Sequence, residues 1–131
     1  MRVVEGHLDL VEHGLGRAVL PDRTTDCQAY NWNQPEQKTA QIEITDVFET
    51  FHLYAVEKRL DRIDIFVDGE EYFSYKKLPG SDWKSWPFDE PFYFILNIAV
   101  GGQWGGAQGV DPAIFPQRME IDYVRVYELA D

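Results

Sequence analysis

A chain of 131 residues with 44% apolar and 15% aromatic content has the length and composition of one folded domain. Its formal net charge of −11 argues against nucleic acid and anionic membrane surfaces as partners, since both demand a basic face, and no run of about 18 apolar residues is present to cross a bilayer. A neutral polysaccharide, held by stacking and hydrogen bonds, is compatible with that charge.

The first stretch, Met1 to Glu12, reads as one strand, with Leu8 and Leu10 on one face and His7 and Asp9 on the other. A regular pleat would send Glu12 to the Leu side. One extra residue at Leu10 or Val11, a β-bulge, would return it to the face of His7 and Asp9. That arrangement sets an imidazole and two carboxylates along one open face, and spacing alone fits an ordinary solvated edge as well. MRVVEGHLDL has no charged segment followed by a long apolar one, so no signal peptide is expected.

His13 to Asp26 is expected to be loop, with two glycines, a proline and the polar cluster PDRTTD. The lone cysteine, Cys27, cannot close an internal disulfide. Gln28 to Trp32 is predicted as a short strand with Tyr30 and Trp32 on one side. Asn33 to Lys38 turns, and Thr39 to Thr45 alternates as a strand with Ile42 and Ile44 inward. After a turn at Asp46 to Glu49, strands follow at Phe51 to Glu57 and Arg62 to Val67. Asp68-Gly69 is a favoured two-residue hairpin turn into Glu71 to Lys76. Leu78 to Glu90 is irregular, and its Trp83 and Trp86 suit either a lid over the core or a sugar platform.

Phe92 to Val100 is a nearly unbroken apolar run of strand length, closed by Pro91 and Gly101, and reads as a strand buried on both faces. Asn97 is its only strongly polar side chain. It must bond a neighbouring strand or look into a wet groove, because an unpartnered buried amide costs roughly 1–3 kcal/mol. Beyond it, Gly101, Gly102, Gly105 and Gly106 bracket Gln103 and Trp104. That glycine density allows either close approach of backbone to a ligand or a tight turn capped by a packed indole. Val110 to Gln117 is irregular around two prolines, and Arg118 to Tyr127 is the last strand. Asp122, on the face of Val124 and Val126, either accepts bonds from backbone amides or contributes an oxygen to a hard cation such as calcium. No helix is expected. Roughly eight short strands punctuated by turns imply an all-β antiparallel β-sandwich of jelly-roll type.

Taken together, GHLDLVEHG, AYNW, FHLYAVE, DRIDIFVDG, WPFDEPFYFILNIAVGGQWGG and FPQRMEIDYVRVYE resemble, in order, successive motifs of glycoside hydrolase family 16, the laminarinase-type endo-β-1,3-glucanases. The resemblance implies a concanavalin A-like jelly roll gripping β-glucan on a concave face. Residues 1–131 would form the C-terminal portion of such a domain, beginning at its catalytic strand, so the sandwich would be incomplete and open to self-association through uncovered sheet edges. No cofactor is implied beyond a structural calcium, for which Asp122 becomes a candidate ligand. The family is mostly secreted or periplasmic, which this chain does not itself reveal.

The family's catalytic pattern is Glu, apolar, Asp, apolar, apolar, Glu. A retaining glycosidase needs two carboxyl groups about 5–5.5 Å apart, one to attack the anomeric carbon and one to protonate the leaving oxygen. By resemblance Glu12 takes the place of the general acid/base and Asp9 that of the assisting carboxylate, while the nucleophile position holds His7. An imidazole there would form a glycosyl adduct cationic at nitrogen, beside an oxocarbenium-like centre deprived of its stabilising carboxylate. Weak or absent hydrolysis is therefore expected. Glu5 shares the face but lies roughly 6–7 Å along the strand. Asp26, Lys58 and Ile65 also depart from residues usual in the family, whereas Glu57 and Glu120 read as structural or surface carboxylates. The resemblance points to Asn97, Gln103, Trp104 and Trp32 for glucan contact. Two expectations follow: a family 16 glucanase crippled at His7, or a non-catalytic glucan-binding pseudo-hydrolase.

Overall fold

The computed structural model describes residues 2–11, 18–21, 38, 40–47, 49–96, 98, 100–102 and 106–128. Its strands are β1 (Arg2–Val11), β2 (Ala18–Pro21), β3 (Gln41–Ile44), β4 (His52–Lys58), β5 (Arg62–Val67), β6 (Glu70–Lys76) and β7 (Arg118–Glu128). Five of them form one antiparallel sheet in the order β6-β5-β4-β1-β7, and β2 pairs with β3 in a second, two-stranded sheet. β1 is thus a central strand, with β4 on one side and β7 on the other.

Local chemistry explains the hairpins. Asp68 and Gly69 both take positive φ (51° and 84°), the conformation a two-residue β-hairpin needs for its twist to match the strands. The Asp68 carboxylate also accepts from the backbone N–H of Leu53 at 2.8 Å. Alternation does the rest: Ile63, Ile65 and Val67 of β5 are buried together with Phe73 and Tyr75 of β6. Between those strands the register slips after Ile65, and the extra residue, Tyr72, packs against both core clusters.

The core sits on this side of the sheet. One cluster joins Ile63, Ile65, Phe73, Tyr75 and Trp86, and a second joins Ile44, Val47 and Val67. Trp86 is only 2% exposed. Its ring meets Phe88 edge-on at 5.0 Å and lies tilted against Tyr75 at 5.5 Å, while its indole N–H donates to Asp89 Oδ1 at 3.2 Å. The Tyr75 hydroxyl donates to the Ser85 carbonyl at 2.7 Å, tying the 78–90 segment down over β5 and β6. Of the two tryptophans with alternative readings, Trp86 is a core residue and Trp83 is exposed. On the other face, buried Asp64 accepts from Ser74 Oγ at 2.7 Å. Arg62 Nε approaches Asp64 at 2.8 Å, close enough to pair charges but off the line of a hydrogen bond.

Two expectations need correction. Ala18–Pro21 lies within the stretch expected to be loop, yet forms β2 by pairing with Ile44 to Gln41. Four residues are too few to show periodicity, and Pro21 at the strand end is compatible with a two-stranded ribbon. Conversely, described residues of the 92–100 run carry no ladder, and their large apolar side chains are 48–83% exposed. Hydrophobic pattern records what a segment is suited to pair with, whereas a strand exists only where a partner's backbone is present. The strand expected at Gln28 to Trp32 lies outside the described residues.

Candidate active site

The candidate catalytic strand lies inside the five-stranded sheet, one strand in from its β7 edge. Position 7 is opposite Leu53 of β4 and Tyr123 of β7, position 5 is opposite Ala55 and Arg125, and position 9 is opposite Glu120. By alternation, positions 5, 7 and 9 fall on one face of the pleat, the face opposite the core. Two neighbours there were not singled out in the sequence. Tyr123 is half-buried, and the Arg125 guanidinium lies 4.1 Å from the centroid of its ring. The signal for them was the alternation in DYVRVY, which sets Tyr123 and Arg125 apart from Val124 and Val126. Glu120, opposite position 9, is paired with Arg118 at 2.8 Å.

The bulge is on the other strand. Of the two places expected for an extra residue, Leu10 or Val11, Leu10 has none, since the β1–β7 ladder runs one-to-one from Leu8 to Val11, and the pairing past Val11 lies outside the described residues; the register shifts instead between His7 and Leu8, and the unpaired residue is Asp122 of β7. Either strand of a pair can take a bulge, and one in β7 bends the ladder beside position 7 without adding a residue to β1. Asp122 is thus the extra residue of β7 between Ile121 and Tyr123, with no counterpart in β1. Glu12 lies outside the described residues, as do Asn97, Gln103, Trp104 and Trp32.

The glycine loop is described at its two shoulders. Gly101 and Gly102 have φ of 76° and 78°, a region costly for residues with a Cβ. Gly106 donates its N–H to the Gly102 carbonyl at 3.1 Å, and a Cβ at position 106 would stand 2.8 Å from that oxygen. The two shoulders of the loop thus meet backbone to backbone.

Among the described residues no group of three His, Cys, Asp or Glu side chains comes together as a metal site. Asp122 is exposed and offers at most one carboxylate, so the described residues alone do not make a calcium cage. A titratable cluster lies elsewhere, at the β4 end. His52 is buried; its Nδ1 is 2.7 Å from Asp68 Oδ2, and its Nε2 is 3.6 Å from Asp46 Oδ1, too far for a hydrogen bond. Burial pulls the imidazole pKa down, but the Asp68 hydrogen bond, the Asp46 backbone and both carboxylate charges outweigh it and leave the pKa above the ordinary histidine value.

Residues 19–125 match the model of glycosyl hydrolases family 16. The chain belongs to glycoside hydrolase family 16. It is 42% identical over 126 residues to a beta-glucanase of Rhodothermus marinus, an alignment taking in 93% of this chain and 44% of that protein. Its structure resembles that of the laminarinase from Rhodothermus marinus with a TM-score of 0.83 at 34% identity, covering 99% of this chain and 66% of the other. It also resembles a variant of a non-specific endo-β-1,3(4)-glucanase of the family, co-crystallised with 1,3-β-D-cellotriosyl-glucose, with a TM-score of 0.74 at 30% identity, covering 98% of this chain and 60% of that one. The fold is accordingly the family's antiparallel jelly roll, and this chain spans less than half of the curated relative's length. His7, Asp9 and Glu12 precede the residues matched by the family model.

Proposed function

We propose that this protein acts on or binds β-1,3-glucan of the laminarin type, with Asp9 and Glu12 in the family's assisting and acid/base roles and hydrolysis weakened by His7 at the nucleophile position. The observation that carries the reading is the placement of β1 between β4 and β7, with positions 7 and 9 on the face away from the core, in a chain whose structure resembles a laminarinase over 99% of its length. In a retaining cycle Glu12 would protonate the departing glycosidic oxygen while position 7 attacks the anomeric carbon, then take a proton from water in the second step. Glutamate at position 7 would neutralise the developing oxocarbenium charge and leave as a carboxylate. Histidine supplies a nitrogen lone pair without that negative charge, and its adduct stays cationic. Asn97, Gln103, Trp104 and Trp32 would line the glucan. A calcium at Asp122 would need its remaining oxygens from outside the described residues.

The test is reducing-sugar release from laminarin together with thermal unfolding in laminari-oligosaccharide. The expected result is little or no release by the natural chain, an upward shift in Tm with sugar because ligand binds the native state, and measurable release by His7→Glu. Release by the natural chain at the rate of His7→Glu would remove the impairment. Absence of both binding and release in a folded protein would remove the glucan reading.

A further inference from the structure

Away from the core, β5 and β6 border a solvent-open cavity of about 460 Å³ whose lining includes Lys38, Arg62, Asp64, Glu71, Ser74 and Lys76. Its polarity follows from alternation: with Ile63, Ile65, Phe73 and Tyr75 turned into the core, Arg62, Asp64, Ser74 and Lys76 fall on the opposite face. Asp64 borders the cavity although it is only 2% exposed. Ser74 Oγ donates to its Oδ1 at 2.7 Å, and a carboxylate, with about four acceptor sites, has capacity for further donors. Arg62 and Lys76 stand directly opposite each other across the β5–β6 ladder. Like charges so placed destabilise a sheet unless negative charge lies against them. Asp64 meets Arg62 at 2.8 Å, whereas Lys76 is exposed at the rim. With Lys38, three cations face two carboxylates, Asp64 and Glu71, in a chain whose formal charge is −11.

We propose that this cavity binds a singly charged sugar acid, a hexuronate. Its carboxylate would lie against Arg62 and Lys76, relieving their opposition through charge-assisted hydrogen bonds, and its hydroxyls would donate to Asp64 and Glu71. Leu78, 55% exposed and also part of the lining, offers an apolar surface to the C–H face of the ring. A neutral sugar fits less well because it leaves the two cations opposed. A polyanion fits less well because the acidic body around the cavity repels any charge beyond the first. The volume is in the range of small-molecule sites, and the open mouth admits either a free sugar acid or the end residue of a glycan. The site is separate from position 7, since β5 and β4 lie between β6 and β1.

The test is an NMR titration of the full chain with glucuronate and with its methyl glycoside, the latter standing for a glycan's end residue, alongside glucose and acetate, which carry the hydroxyls and the carboxylate separately. The expected result is saturable movement of the amide signals of Arg62, Asp64, Ser74 and Lys76 with a hexuronate, and binding about tenfold weaker or absent for glucose and for acetate. Either hexuronate form supports the proposal, and the tighter of the two tells a free sugar acid from a chain end. Lys76→Gln should weaken hexuronate binding about tenfold, the worth of one charge-assisted hydrogen bond, without changing Tm, because the side chain is exposed. Lys84→Gln, an equal loss of charge beside the exposed Trp83 ring, should leave binding as it is. No movement of the four amides overturns the proposal, as does a response to glucose or acetate equal to that of both hexuronates. Binding indifferent to Lys76→Gln, or weakened equally by Lys84→Gln, overturns it too. No β-glucan enters the titration, so its outcome stands apart from the glucan reading.

Discussion

The two ends of the same sheet obey the same alternation and reach opposite outcomes. At the β5–β6 end, Ile63, Ile65 and Val67 are sealed by Phe73, Tyr75, Trp86, Ile44 and Val47. At the β7 end, Val126 pairs through Val4 and Val56 with Ile65, Val124 through Gly6 and Tyr54 with Val67, and Ile121 through Leu8 with His52, yet all three are exposed. Both ends have branched apolar residues at the right period, so pattern cannot be the difference. What differs is cover: the 78–90 segment folds back over β5 and β6 through Trp86 and the Tyr75–Ser85 hydrogen bond, and among the described residues nothing comparable lies over β7.

The contrast breaks first at Trp86. Trp86→Ala removes the largest buried side chain of the core and leaves the Phe88 and Tyr75 rings without their partner, a loss expected to cost about 3–5 kcal/mol. Val126→Ala, at the far end of the row that begins at Ile65, should change stability by no more than about 0.5 kcal/mol, as for an ordinary surface substitution. Urea unfolding of the two variants compares them directly. Equal losses would mean that the β7 face is covered in solution.

The glycine loop offers a second, smaller test, because its form is set by backbone contact rather than by packing. Gly106→Ala would bring a Cβ to 2.8 Å from the Gly102 carbonyl and to about the same distance from Gly101 backbone atoms that cannot swing aside. The expected cost is about 1–3 kcal/mol. It should appear as faster hydrogen exchange in residues 101–110, with the β5–β6 core still protected. Uniform loss of protection would instead place this loop within the main cooperative unit.

Much of this fold was legible because β4, β5 and β6 are local. Their alternation, the Asp68-Gly69 turn and their mutual pairing all lie within 25 consecutive residues, His52 to Lys76, and each points to the same structure. The interior place of β1 in the sheet was not legible, since its partners begin more than forty residues away at His52 and end at Glu128. The proposal for position 7 came from the family pattern alone, because spacing fits a solvated edge as well. Three things were out of reach. The strand at Ala18–Pro21 is too short to show a period, the bulge at Asp122 is a choice between two strands that only their pairing reveals, and the exposure of 92–100 depends on what is next to it. Tyr123 and Arg125 were within reach and were passed over for the carboxylate beside them.

His52 was passed over too, and it provides the finest test of the covered end. Its row runs from a buried imidazole to exposed Ile121, and the imidazole is held by Asp68 and faced by Asp46. Because these groups raise its folded pKa above the unfolded value of about 6.5, the folded state binds the proton more tightly than the unfolded chain does. The resulting stabilisation is fully present below the unfolded pKa and is lost as pH rises through the folded one. Asp68→Asn keeps a side chain that tolerates the positive φ of this turn and removes the charge. The difference in Tm between natural chain and variant should therefore be larger at pH 6 than at pH 8.5. A difference that stays constant across that interval would mean that His52 is neutral throughout and that Asp68 serves only to hold the turn. A difference that shrinks with rising pH would make the β4–β5 hairpin, at the covered end of the sheet, a part of the structure whose stability follows protonation.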